Sequence, residues 1–404
     1  MGVHRDQSGS KFAFVFSRPV AYPPNIHDMK CYYLSRELIS RGERVTWIQL
    51  GRGERADARD GIDFVNIPIS PTNQLFTAFS VMRMVLFCVA KRIRVVHMDE
   101  WLFFRHRPFW TFMGVIGLRA TGVKVGFDER DPLVDFEVAT GELKANSRRY
   151  ATTQRAHRLS ERMANLLVLT SQAYEELYIS EGFKPGKVFG GFRGIDTAVF
   201  TPQADGEEVR ARLGLEGKFV IGWFGLMHPF RQIREILIPL ARELDEVIPD
   251  SHLLIGGNGP LYPEFQELAK EDNRSLTLLG LVPYQELPRH IAACDVLLCP
   301  VDPRYRFTQN SCWLKITEAL AVGRPVIATK TKISDLDYKD LKGVVWVDSS
   351  LESFTRALER VQNDYPNFLA MAQDQAWHFD NYSVRYTISK MTDRIEGLAS
   401  RRVQ

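Results

Sequence analysis

The sequence is short of several things that would fix its class at once. It has only five cysteines, Cys31, Cys88, Cys294, Cys299 and Cys312, scattered and odd in number. None has zinc or redox spacing, which excludes a disulfide scaffold and predicts reduced, mostly buried thiols in a cytoplasmic protein. Charge of one sign is also missing. Lys plus Arg is 52 against 49 Asp plus Glu, so the net charge is +3, and composition alone makes no case for a nucleic-acid partner. No apolar run is long enough to span a bilayer comfortably. The longest, Leu75 to Ala90, is broken by Thr77, Ser80 and Arg83, and Phe109 to Ala120 is shorter. Both read as core helices, with membrane-surface contact as a minority reading. The first ten residues are polar and carry no signal-peptide core. A P-loop, a nucleophile elbow and a kinase signature are all absent.

What is present is ordinary globular composition, 45% hydrophobic over 404 residues, enough for two or three domains. Short β-branched or aromatic runs alternate with helical patterns. Phe12–Phe16, Val45–Leu50, Ile93–Met98, Val123–Phe127 and Leu166–Thr170 read as strands of a first block. Asp28 to Ser40 reads as a helix, with Gly42 just past its end. A second block has strands at Phe219–Phe224, His252–Ile255, Leu276–Leu279, Val296–Cys299, Pro325–Ala328 and Val344–Val347. Arg231–Val247 is an amphipathic helix in which Pro239 predicts a kink. The polar stretch Thr201 to Gly206 separates the blocks, and a terminal helix follows Asp380. Alternation of this kind implies α/β architecture: two Rossmann-like parallel-sheet domains facing an interdomain cleft. Ligands in such sheets bind outside the carboxyl ends of the strands. The expected division is a first domain over 1–200, a second over 201–380, and a terminal helix over 381–404.

Chemistry concentrates in a few segments. Asn310 to Ala328 follows a strand end and a loop, with Ser311 as its expected N-cap. Lys315 and Glu318, three apart, share a helix face. Such a pair suits a nucleotide: the cation meets diphosphate and the carboxylate accepts from ribose hydroxyls. A solvated surface pair is the plainer reading of the same spacing. Arg231 follows a strand end at Phe224 and is placed for phosphate. Gly256-Gly257-Asn258-Gly259-Pro260 lacks the third glycine of the dinucleotide fingerprint and reads as a tight turn or a close approach to ligand. In the first block, Asp128, Glu129 and Asp131 crowd a strand end, and His97, Asp99 and Glu100 end another. A His–Asp metal site has no supporting local spacing. The loop holding Asn25 and His27 and the aromatic run from Trp101 to Trp110, with Arg105 and Arg107 interleaved, border the first-domain side of the expected cleft.

Taken in order, these segments are familiar. Arg193-Gly194-Ile195-Asp196 with Phe200-Thr201-Pro202, Gly257-Asn258-Gly259-Pro260, Leu279-Gly280-Leu281-Val282 and Glu318-Ala319-Leu320-Ala321-Val322-Gly323-Arg324-Pro325-Val326 resemble motifs of the family 4 retaining glycosyltransferases of the GT-B fold. The resemblance implies a hexosyl transfer from a UDP- or GDP-sugar to an acceptor hydroxyl, with retention and without a metal or other cofactor. Glu318 would hold ribose and Lys315 the diphosphate. Asn310, Ser311, Gly257 and Val282 would line the donor site. Asp128, Arg231 and Lys315 would carry catalysis, and Asn25, His27 and Trp101 would face the acceptor. That acceptor would be a glycan, a small molecule or a lipid-linked sugar reached at the inner face of a membrane. Three departures stand out. Asn310 replaces the family's glutamate, Leu226 and Gln232 fall near its usual diphosphate Arg and Lys, and Tyr22-Pro23-Pro24-Asn25 replaces its first-loop glycines. They keep open a catalytically silent sugar-nucleotide-binding or scaffold protein. A sugar-nucleotide epimerase of the same fold is the other alternative.

Overall fold

The computed structural model describes residues 11–16, 20, 29–51, 59–70, 73–99, 108–129, 133–191, 194–271 and 275–400. Its first half builds one parallel sheet from β1 (Phe12–Phe16), β2 (Val45–Leu50), β3 (Ile62–Ile67), β4 (Val95–Asp99), β5 (Lys124–Glu129), β6 (Leu166–Leu169) and β7 (Val188–Phe189). Their spatial order is β3-β2-β1-β4-β5-β6-β7. The helices between them are α1 (Met29–Ser40), α2 (Gln74–Ala90), α3 (Pro108–Ala120), α4 (Leu133–Ala139), α5 (Arg148–Met163) and α6 (Gln172–Ser180). β1 is buried at every position because helices cover both faces of a parallel sheet, which is why its sequence, FAFVF, is apolar throughout.

The second half repeats the design. Its strands are β8 (Phe219–Leu226), β9 (Ser251–Asn258), β10 (Leu276–Gly280), β11 (Val296–Cys299), β12 (Val326–Thr329) and β13 (Val344–Val347), ordered β10-β9-β8-β11-β12-β13. Its helices are α7 (Glu207–Leu213), α8 (Ile238–Val247), α9 (Tyr262–Lys270), α10 (Leu287–Ala292), α11 (Arg306–Asn310), α12 (Leu314–Ala321), α13 (Lys332–Asp335), α14 (Leu351–Asn363) and α15 (Tyr365–Ala376). The strand order reverses between β1 and β4 in one sheet and between β8 and β11 in the other, and each reversal opens a crevice at the carboxyl edge. The last helix, α16 (Val384–Ser400), packs Ile388, Met391 and Ile395 into a first-sheet cluster with Phe12, Phe14 and Trp47.

Several local expectations change. Pro239 makes no kink within a regular helix. The backbone runs through a π-helical turn, Ile233–Leu237, and α8 starts just after it, with Pro239 in its first turn. A proline cannot donate to the carbonyl four residues back, so it is tolerated only where that bond is already missing. β3 escaped the sequence reading because it is an outer strand of half-buried, mixed residues, and β7 because it is two residues long. All five cysteines are buried and unbridged. Among the described residues no helix is long and apolar enough to cross a membrane. The reading of α2 and α3 as fully core helices is corrected: Leu75, Phe79, Met82, Leu86, Val89, Phe109 and Met113 are exposed.

Candidate active site

The carboxyl ends of β8 and β9 lie side by side, with Gly225 opposite Gly257 and Leu226 opposite Asn258. Gly257 has φ +134°, and a Cβ there would overlap the Gly225 carbonyl oxygen. A Cβ on Gly225 would in turn overlap Lys315 Nζ. Gly225 therefore leaves the space that Lys315 fills, and Gly257 lets β9 pack close against the backbone of Gly225. Lys315 reaches back from the first turn of α12 and donates to the Phe224 carbonyl. Its ammonium lies 4.8 Å from the centroid of the Trp223 ring.

Arg231 closes a short 3-10 turn, Pro229–Arg231, that leaves β8. Its guanidinium sits 4.3 Å over the ring of Trp313, the residue preceding α12. Burial of the Lys315 ammonium, with Arg231 beside it, pushes its pKa down to about 7, against the pull of Glu318. Two cations are thus crowded at the carboxyl edge of the sheet, and a dianion placed between them would relieve their repulsion. Glu318 follows one turn along α12. Burial and the Glu318 carboxylate push the Tyr284 phenol above its ordinary range. Val282 closes the flank: a Cβ on Gly256 would stand 3.1 Å from its Cγ2.

Asn310 and Ser311 are buried between the two halves of the molecule. Ser311 is not the N-cap of the Lys315 helix. Its backbone caps the C-terminus of α11, donating to Phe307 at 3.0 Å, and Trp313 takes the N-cap position of α12 without a side-chain bond. The extra turn of helix over Arg306–Asn310 displaced the cap. Asn310 Nδ2 donates to the Arg306 carbonyl at 2.7 Å, and its own carbonyl accepts from Ser171 Oγ of the first half. Asn310 Oδ1 is buried and has no hydrogen-bond partner among the described residues. Around it the halves are stitched together. Arg306 meets Asp135 at 3.0 Å and pairs with Glu181. Asp337 accepts from the Gln172 N–H at 2.7 Å, at the start of α6. Phe136 of α4 packs edge-on against Phe230 and Phe307.

Residues 218–364 match the family model described as glycosyl transferases group 1. That match takes in every strand of the second sheet. Over its whole length the chain has the GT-B fold: the Anabaena HepE structure in complex with UDP superposes with a TM-score of 0.69 at 16% identity, covering 96% of this chain and 100% of that one. In sequence, the GT-B chain is 27% identical over 210 residues to the GDP-mannose-dependent alpha-(1-6)-phosphatidylinositol monomannoside mannosyltransferase of Mycolicibacterium smegmatis, covering 50% of this chain and 55% of that protein. It is 31% identical over 128 residues to the GDP-mannose:glycolipid 4-beta-D-mannosyltransferase of Xanthomonas campestris, covering 31% and 34%. The chain thus spans about half the length of the first relative and a third of the second.

In the first half of this GT-B chain, Asp128 is the penultimate residue of β5, with its side chain fully covered and ion-paired to Lys30 of α1. The expected carboxylate crowding does not occur at Asp128 and Glu129, because adjacent strand residues point to opposite faces. Glu129 turns to His157, whose Nε2 lies 2.9 Å from Glu129 Oε1 and 3.3 Å from Glu161 Oε1. Among the described residues these three are the one group of metal-ligand type that converges. Hydrogen bonds already occupy it: Tyr178 donates to Glu161 at 2.6 Å and Arg158 at 3.2 Å. Burial pushes His157 down to about 4, against the neighbouring Glu161, so the imidazole is neutral at pH 7. Asn25, His27 and Trp101 lie outside the described residues, as do Arg105 and Arg107.

Sequence reasoning missed Trp223, Trp313 and Tyr284, which shape the pocket around the charged groups. It also missed Lys30. Trp313 adjoins the Lys315 motif and was open to inspection. Lys30 gave no local signal, since its partner is 98 residues away.

Proposed function

We propose that this protein transfers a hexosyl group from a nucleotide-diphosphate sugar to an acceptor hydroxyl with retention of configuration. The observation that carries the reading is the crowding of Lys315 and Arg231 at the carboxyl edge of β8, with Glu318 one helical turn beyond. The cations neutralise the departing diphosphate and Glu318 accepts from ribose hydroxyls. Charge supplied this way requires no metal. The sugar C1–O bond to phosphate breaks, the acceptor oxygen bonds to C1 on the same face, and the acceptor proton passes to the departing diphosphate. Asp128, the first-domain group proposed to act on the sugar, has a fully covered carboxylate and reaches it only by leaving the Lys30 pair. Residues 1–200 then serve the acceptor and 201–380 the donor. The mannosyltransferase relatives named above make GDP-mannose the first donor to test and a glycolipid the first acceptor, with UDP-sugars next.

The test has two stages. Thermal shifts with GDP and UDP detect binding to the folded state. Release of free nucleotide from GDP-mannose or a UDP-sugar, with and without a lipid-linked acceptor, detects transfer. No shift with either nucleotide rejects the donor site. A shift without acceptor-dependent release favours the silent binder, a reading supported by Leu226, which is exposed, and by Gln232, whose Oε1 accepts from Ser349.

The unsatisfied Oδ1 of Asn310 makes a further prediction. As an acceptor for a sugar hydroxyl, it contributes about 0.5–1.5 kcal/mol. Asn310→Ala should therefore lower kcat/KM for the sugar nucleotide by about two- to tenfold and leave the affinity for free GDP or UDP unchanged. Equal losses for nucleotide and sugar nucleotide would place Asn310 in a purely structural role.

A further inference from the structure

We propose that the outer faces of α2 and α3 dock on an anionic lipid bilayer and set the mouth of the cleft against it. α2 carries two opposed stripes. Thr77, Val81, Met84 and Cys88 face the core. Leu75, Phe79, Met82, Leu86 and Val89, at alternating spacings of four and three, face outward and are exposed, Leu75 by 75% and Phe79 by 61%. A stripe of that spacing runs straight along one side of a helix about 25 Å long. α3 lies beside α2 and adds exposed Phe109 and Met113. Monomeric soluble domains rarely leave so continuous an apolar face in water.

The topology says which end of this face meets the cleft. α2 follows β3 and α3 follows β4, so the N-terminal turns of both helices sit at the carboxyl edge of the sheet. The Trp110 indole N–H ties these turns together, donating to Gln74 Oε1 at 2.7 Å. Phe109 and Trp110 pack edge-on there, and Phe76 and Phe79 are exposed near the start of α2, with an indole at the polar boundary, as suits the interfacial layer of a bilayer. Arg83 projects from the exposed side of α2, and exposed Lys91, Arg92 and Arg94 lie at its far end.

Charge selects the occupant. From Phe64 to Met98 the sequence has four cations, Arg83, Lys91, Arg92 and Arg94, and no Asp or Glu; from Pro108 to Val123 it again has no acid. Two copies of the chain meeting on this face about a twofold axis would oppose cation to cation with no carboxylate to pair. Phosphodiester headgroups supply the missing anions, and each cation near such a surface adds to binding. The apolar stripe enters the acyl boundary while the basic groups stay with the headgroups. This deepens the lipid-acceptor reading by giving the acceptor a route to the cleft, and the two are tested apart.

Full-length protein is sedimented at low salt with vesicles of phosphatidylcholine alone and of equimolar phosphatidylcholine and phosphatidylglycerol. Wild-type protein should bind the mixed vesicles and prefer them to the neutral ones. The triple variant Leu75→Gln, Phe79→Gln, Leu86→Gln should lose about tenfold or more of that binding. A second variant, Arg83→Glu with Lys91→Glu and Arg92→Glu, should lose the preference for anionic vesicles; it retains the apolar stripe, so it serves if the first fails to fold. The thermal shift with GDP should be the same in all three proteins. Failure of wild-type protein to bind the mixed vesicles overturns the docking surface, whatever GDP does. Binding undiminished in both variants overturns the assignment to α2. A wild-type dimer in gel filtration that the triple variant abolishes, without vesicle binding, shows the occupant to be a second copy and also overturns it. Loss of the GDP shift in wild-type protein instead rejects the donor site and leaves the docking result standing.

Discussion

Lys315→Ala should lower the affinity for GDP or UDP by about ten- to a hundredfold and flatten its dependence on pH. The magnitude follows from losing one charge-assisted hydrogen bond, roughly 1.5–3 kcal/mol. The pH dependence follows from the lysine's pKa of about 7 in the empty site, set first by burial and next by Arg231. Below pH 7 the ammonium is already charged, and affinity should be level as far as this group is concerned. A bound diphosphate stabilises the charged form and raises the pKa of Lys315 in the complex. Between the two pKa values, binding takes up a proton and affinity falls by up to about tenfold per pH unit as pH rises. Calorimetry at pH 8 in buffers of different ionisation heat reads that proton directly. Affinity that stays constant from pH 6 to 9 in the wild type, or equal affinity in Lys315→Ala, sinks the assignment. Glu318→Ala adds a spatial check. If the carboxylate holds ribose, the variant loses affinity for nucleoside diphosphates and retains it for inorganic pyrophosphate.

Gly257→Ala should destabilise the protein by roughly 2–6 kcal/mol and weaken nucleotide binding with it. Two costs combine. A φ of +134° is one that L side chains rarely adopt, and the added Cβ overlaps a backbone oxygen, that of Gly225, which cannot rotate away. Such strain and overpacking each cost about 1–3 kcal/mol. For a domain of this size that corresponds to a melting temperature lower by about 5–15 °C. Relief requires β8 and β9 to part at their carboxyl ends, which moves Gly225 relative to Lys315. Gly186→Ala is the control, since a Cβ there meets nothing within 4 Å. Equal melting temperatures for Gly257→Ala and Gly186→Ala would show that the contact with Gly225 tolerates a side chain and does not depend on glycine.

Much of the architecture and part of the candidate site can be read without coordinates, for a physical reason. Strands covered on both faces are apolar throughout, so β1 and β11 stand out as bounded runs, and the limits of these two and of β2 and β13 are read correctly from the sequence alone. Lys315 and Glu318 are legible as a pair because three residues on a helix are neighbours whatever surrounds them. The turn at Gly257 is legible because glycine marks backbone that others cannot adopt. Tertiary structure alone decided the rest. That Trp223 lies under Lys315 and Trp313 under Arg231, that Lys30 pairs with Asp128, and that Ser171 bonds the Asn310 carbonyl are contacts between distant segments, with no local pattern to announce them. The lowered pKa of Lys315 belongs to the same class, because burial and a second cation are properties of the assembled site. α2 is the sharpest case. Its sequence holds two stripes at helical spacing, Thr77, Val81, Met84 and Cys88 on one side and Leu75, Phe79, Met82, Leu86 and Val89 on the other. Periodicity identifies a helix from either stripe, and by hydrophobicity the outer one is the better candidate for burial. Only the packing of the sheet beneath decides which stripe faces in, and it takes the one with the smaller and more polar residues.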